Sequence, residues 1–176
     1  MVRIWDPLVR IGHWTLVGAI VVAWFTRHGG GWVHEWAGYA VIAVVLVRLL
    51  WGLTGSRHAR FTSFVRAPAV TLRYSQLVMV RREPRYLGHN PLGGWMIMAL
   101  LCTAFLAAAS GWLYTTDRFW GVEWVEELHA GLSNLLFALA GVHIAGVVFA
   151  SWRHRENLVA AMLHGRKRAA APDDVA

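Results

Sequence analysis

Four long apolar stretches dominate the chain, at residues 8–25, 33–53, 94–113 and 128–150. Arg10 and His13 interrupt the first, which is short. Each of the others is long enough to cross a hydrocarbon core of about 30 Å, which takes ~20 helical residues. Backbone groups in lipid must be satisfied internally, and runs this continuous do not alternate as barrel strands do. The pattern therefore predicts an all-α, integral membrane four-helix bundle in one domain, residues 1–168. A signal peptide is the alternative for the first stretch. Asp6 and Pro7 precede it and no small-x-small cleavage site follows, so it reads as a retained helix.

Between the second and third stretches, residues 54–91 mix Phe61, Phe64, Val65, Val70, Leu72, Leu77 and Val78 with arginines. Pro68 can start a short helix there. The loop reads as a basic amphipathic segment on the inner leaflet, with a partner-docking surface as the alternative. Residues 169–176, with Pro172, Asp173 and Asp174, are expected to be a disordered tail.

Composition agrees with a membrane chain. Of 176 residues, 57% are hydrophobic and 15% charged, against about 25% charged in soluble domains. That excludes a disordered chain and argues against an ordinary soluble domain. The formal charge is +7, from 16 Arg and 1 Lys against 10 acids. Arg57, Arg60, Arg66, Arg73, Arg81, Arg82 and Arg85 fill the long loop, with Glu83 its only acid. Arg153, Arg155, Arg166, Lys167 and Arg168 follow the fourth stretch. Arg27 and Arg118 lie on the other side with Asp117, Glu123, Glu126 and Glu127. Positive loops stay in the cytoplasm, so both termini and the long loop are expected to be cytoplasmic, in a multi-pass protein of the bacterial inner membrane. The positive bias follows membrane sidedness, so lipid and not nucleic acid is the expected partner. Trp24, Trp32, Trp36, Trp112, Trp120 and Trp124 at the outer ends, and Trp5, Trp14, Trp51, Trp95 and Trp152 at the inner ends, read as interfacial belts.

The lone Cys102 excludes a disulfide framework, a C-x-x-C-H haem attachment and a four-thiolate cluster; it and Ser110 read as packing residues. Nine histidines remain. His28, His58, His154 and His164 fall in loops and are expected to be solvated. His13, His34, His129 and His143 lie in or at the edge of the spans, where ionisable side chains are costly and usually functional. Fourteen residues separate His129 from His143. That is just under four turns, so both rings share a face about 21 Å apart along the axis. His34 matches the outer depth and His13 the inner. Two stacked, non-covalent b haems account for all four, paired His34 with His129 and His13 with His143. Satisfied core histidines or interfacial histidines are the alternative.

Gly12, Gly38, Gly131, Gly141 and Gly146 lie near these histidines in sequence, leaving room for a planar macrocycle or for close helix packing. Arg10 near His13, and Arg48 fourteen residues after His34, are candidates to hold anionic haem propionates, with snorkelling as the plainer role. In the turn at residues 88–94, His89 and Asn90 either form a quinone headgroup pocket or start the third helix, with Asn90 as N-cap and Pro91 next. These two roles are compatible.

With these residues in hand, the chain resembles the bacterial cytochrome b-561 family, dihaem four-helix membrane cytochromes related to the b-type subunits of nickel–iron hydrogenases. The resemblance runs from about residue 2 to 168. It rests on Trp5-Asp6-Pro7-Leu8-Val9-Arg10 before His13-Trp14, and on His34-Glu35-Trp36-Ala37-Gly38-Tyr39 before Arg48-Leu49-Leu50-Trp51-Gly52. Residues 88–96, the pair His129 and His143, and Glu156-Asn157-Leu158 through Gly165-Arg166-Lys167-Arg168 complete it. It implies haem iron ligands at His13, His34, His129 and His143, and electron exchange with the quinone pool. The short outer loops and the lack of a fifth helix depart from the hydrogenase subunits.

The expected function is transmembrane electron transfer, with quinone on one side and a periplasmic c-type cytochrome or redox enzyme on the other. A homodimer is compatible with it. One rival is a superoxide:quinone oxidoreductase at the outer haem, which the acidic outer loop disfavours. Another is a non-redox anchor or transporter whose histidines bind metal or protons.

Overall fold

A computed structural model describes residues 1–29 and 31–175. The chain is mostly helical. Its long helices are α1 (Pro7–Thr26), α2 (Gly31–Thr54), α5 (Pro91–Tyr114) and α6 (Glu123–Arg153). All four have the length and apolar composition to cross a membrane. Between α2 and α5 lie the short helices α3 (Phe61–Phe64) and α4 (Pro68–Met79), the latter opened by Pro68 in its first turn. After α6 comes α7 (Leu158–His164). The short strands β1 (Val2–Arg3) and β2 (Arg166–Lys167) pair antiparallel, an addition to the expected all-helical chain.

α6 begins five residues before its apolar stretch. Glu123 and Glu126 sit in its first turn, where carboxylates favour the positive end of the helix dipole. Its 31 residues extend about 46 Å, more than the apolar core needs.

The chain forms two compact units. The first contains Met1–Arg10, Leu50–Met98 and Gly141–Ala176; the second contains Ile11–Leu49 and Ala99–Ala140.

In the first unit, Asp6 fastens the helix ends. Its Oδ1 accepts from the Val9 amide at 2.9 Å, capping α1. Its Oδ2 accepts from the Trp51 indole at 3.1 Å and from the Ser56 hydroxyl. Burial would raise the Asp6 carboxyl, but these hydrogen bonds outweigh it and hold the pKa below its ordinary value. Asn157 caps α7 through the Ala160 amide at 2.8 Å. Gly165 ends α7 at φ 81°, and a Cβ there would lie 2.7 Å from the Trp5 carbonyl oxygen. Left-handed backbone and close approach both require glycine.

The tail expected to be disordered is docked as far as Val175; Ala176 lies outside the described residues. Val175 donates to the Arg85 carbonyl at 2.8 Å and accepts from the Leu87 amide at 2.9 Å. The Arg85 side chain, 5% exposed, pairs with Glu156 at 2.7 Å and with Asp174. Lys167 reaches Glu156 at 3.4 Å. The polar composition of the tail suggested solvation, but its acid is complementary to a buried cation.

Trp5, expected in an interfacial belt, is 5% exposed and packs in the core of this unit with Ile4, Leu87 and Ala161. Trp32, Trp36, Trp112, Trp120, Trp124 and Trp152 are exposed, as belt residues must be. Cys102 is exposed on α5, so it is not a packing residue.

In the second unit, Ala37, Val41 and Val45 form an i, i+4 stripe buried on α2, and Leu101, Ala104 and Ala107 are buried on α5. Small residues let membrane helices approach closely. Trp24 of α1 stacks on Phe137 of α6, with ring centres 4.0 Å apart and planes within 9°.

Candidate metal centre

His34 from the first turn of α2 and His129 from the second turn of α6 meet in the second unit. Their ring centres are 6.0 Å apart and their planes cross at 86°. His34 Nδ1 lies 3.0 Å from the Ala23 carbonyl of α1. His129 Nδ1 lies 2.9 Å from the Ala107 carbonyl of α5. A carbonyl only accepts, so each Nδ1 carries the proton and each Nε2 keeps its lone pair for a metal. Four helices thus build the pair, two presenting rings and two presenting carbonyls.

Two neutral imidazoles with Nε2 lone pairs free are the donor set that would hold a haem iron. Among the described residues no three or more His, Cys, Asp or Glu side chains gather as a metal site. Haem needs only two side chains, because the macrocycle supplies the other four nitrogens.

Gly38 follows His34 by about one turn on the same side of α2, and a Cβ there would meet nothing within 4 Å. Gly131 and Gly141 stand differently. Each is two residues from its histidine, about 200° around the helix, and so faces away from it. Gly12 lies 3.7 Å from Val44, in ordinary contact. Gly111 also bears on the site. A Cβ on Gly111 of α5 would come within 2.9 Å of the His129 ring. Ser110, read as packing only, places its hydroxyl 3.4 Å from His129 Nδ1.

His13 lies half-buried on α1 in the second unit, edge-on to Trp14 at 5.0 Å. His143 lies half-buried on α6 in the first unit. Arg48 is half-buried on α2. Arg10 donates to the Leu163 carbonyl near the end of α7, and its Nε is buried without a hydrogen-bond partner among the described residues.

His89 packs between Trp5 (4.5 Å) and Phe64 (4.8 Å). It lines a cavity of about 130 Å³ with Arg57, His58, Ser63, Phe64, Arg66, Tyr86 and Gly88. His58, in the loop before α3, is half-buried. Burial, then the Arg57 and Lys167 charges, depress its pKa. Asn90 Oδ1 accepts from the Gly93 amide at 2.7 Å, capping α5.

Four helices long and apolar enough to cross a membrane, and a single cysteine that leaves no pair for covalent attachment, fit a membrane cytochrome of the b type. The profile of prokaryotic cytochrome b561 matches residues 4–165, and the chain belongs to that family. It is a multi-pass membrane protein that binds b-type haem and works in electron transfer. No curated protein and no solved structure matches it.

Proposed function

We propose that the chain carries electrons across the bacterial inner membrane through two b haems, between the quinone pool and a periplasmic redox protein such as a c-type cytochrome. The observation that carries this is the His34–His129 pair, 6.0 Å apart with both Nδ1 atoms anchored. When bound, haem supplies reversible one-electron chemistry. His34 and His129 would hold the haem iron between them and leave no position for oxygen, so electron transfer is the natural role.

His13 and His143 are the second ligand pair. This rests on the fourteen-residue spacing along α6 and on the family pattern. Arg10 and Arg48 bind the propionates; the buried Arg10 Nε supports the first of these roles. His89 receives the quinone headgroup, supported by the cavity it lines. The arginine-rich connections support a cytoplasmic position for both termini and for that cavity.

The test is acid–acetone extraction with a pyridine haemochrome assay on the purified protein. It should yield about two haems per chain, none retained covalently. A well-folded protein with none would overturn the reading.

A further inference from the structure

We propose that Ser110, and more weakly Thr26, set the reduction potential of the His34–His129 centre by competing for the carbonyl oxygens that orient its histidines. The inference rests on the haem reading above.

The two histidines are served by matching devices. On α5, Ala107 offers its carbonyl to His129 Nδ1 at 2.9 Å, and Ser110, one turn later, donates its hydroxyl to the same oxygen at 2.9 Å. On α1, Ala23 offers its carbonyl to His34 Nδ1 at 3.0 Å, and Thr26 again lies one turn later. Thr26, however, gives its main bond to the Val22 carbonyl at 2.7 Å and reaches Ala23 only at 3.4 Å. The Ser110 side chain is buried, so water does not replace its hydrogen bond.

The sign follows from electron density. An imidazole that donates strongly from Nδ1 is a more basic iron ligand and favours the ferric state. A hydroxyl on the same carbonyl draws density from that acceptor and weakens the imidazole bond. Ser110 therefore holds the potential up. Thr26 does so less, because most of its donation goes elsewhere. Neither residue touches iron; both act through a histidine, as positioning residues.

The experiment is spectroelectrochemical titration of the full-length holoprotein as wild type, Ser110→Ala, Ser110→Thr and Thr26→Val. Haem content and melting temperature are measured on the same preparations. Ser110→Ala should keep its haem complement and raise the ferric/ferrous ratio of this centre about three- to tenfold at fixed ambient potential, a fall of about 28 to 59 mV. Ser110→Thr should restore the wild-type potential, and Thr26→Val should shift it less than Ser110→Ala. An unchanged or raised potential in Ser110→Ala with full haem content would overturn the inference. So would an equal shift in Thr26→Val. Failure of the haem reading is distinguishable, because wild-type protein would then carry no centre that His129→Ala removes.

Discussion

Gly111 on α5 lies against the imidazole of His129 on α6, so close that a Cβ at residue 111 would stand 2.9 Å from the ring's Cε1. Three neighbours bound the ring: the Ala107 carbonyl at Nδ1, the Ser110 hydroxyl beside it, and Gly111, which leaves room for the ring because it carries no Cβ. Gly111→Ala is expected to separate site from scaffold. Alanine favours the helix by about 1 kcal/mol, while the displaced ring should weaken haem binding roughly tenfold or more. Haem titration of the apoprotein beside a melting curve would show the two effects running in opposite directions.

Ligand pairing has its own signature. His34→Ala and His129→Ala should remove or perturb the same spectral component, and His13→Ala and His143→Ala the other. Low-temperature spectra during redox titration check this. Loss of one shared component in the His13 and His34 variants would show that the pairing is wrong. Histidines left unligated in the pocket should also lower the stability of the bundle.

Asn90 and His89 should part company. Asn90→Ala removes the cap on the Gly93 amide, so it should cost about 1 kcal/mol of stability. His89→Ala should slow reduction by a quinol analogue roughly tenfold and leave dithionite reduction unchanged. Stopped-flow absorbance and thermal melts on the same samples decide the matter. Normal quinol kinetics in the His89 variant would move the quinone site away from this cavity.

The docked tail should be released by acid. Burial works against the Glu156 carboxylate, but hydrogen bonds from Arg85 and the Arg168 amide, with the Lys167 charge, hold its pKa below the ordinary 4.5. The Ala171 amide, against a smaller effect of burial, and then Arg85 hold Asp174 below 3.8. Carboxyls depressed in the folded state contribute stability that is complete above their unfolded values and lost as pH falls through the folded ones. The tail should therefore stay docked from neutrality down to about pH 4.5 and detach below it. Hydrogen exchange at the Leu87 amide, bonded to Val175, reads this directly. Glu156→Gln should speed that exchange already at pH 7.

Much of this protein is written along the chain. Length and continuity of apolar runs decide a membrane helix, because lipid leaves no other way to satisfy the backbone. Helical periodicity turns the fourteen residues between His129 and His143 into a shared face. Those signals are local, and they single out the four histidines without any partner in view. What orients the rings is not local. The carbonyls that fix His34 and His129 belong to Ala23 and Ala107, 11 and 22 residues away on other helices. A backbone carbonyl leaves no mark in residue identity, so only helix packing reveals it. Gly111 among the chain's 17 glycines is distinguished solely by the ring that packs on it. The tail is decided the same way: Asp174 looks like any solvated terminal acid until packing buries Arg85 beside it. Burial removes the water that would have satisfied that cation, and the tail's carboxylate takes its place.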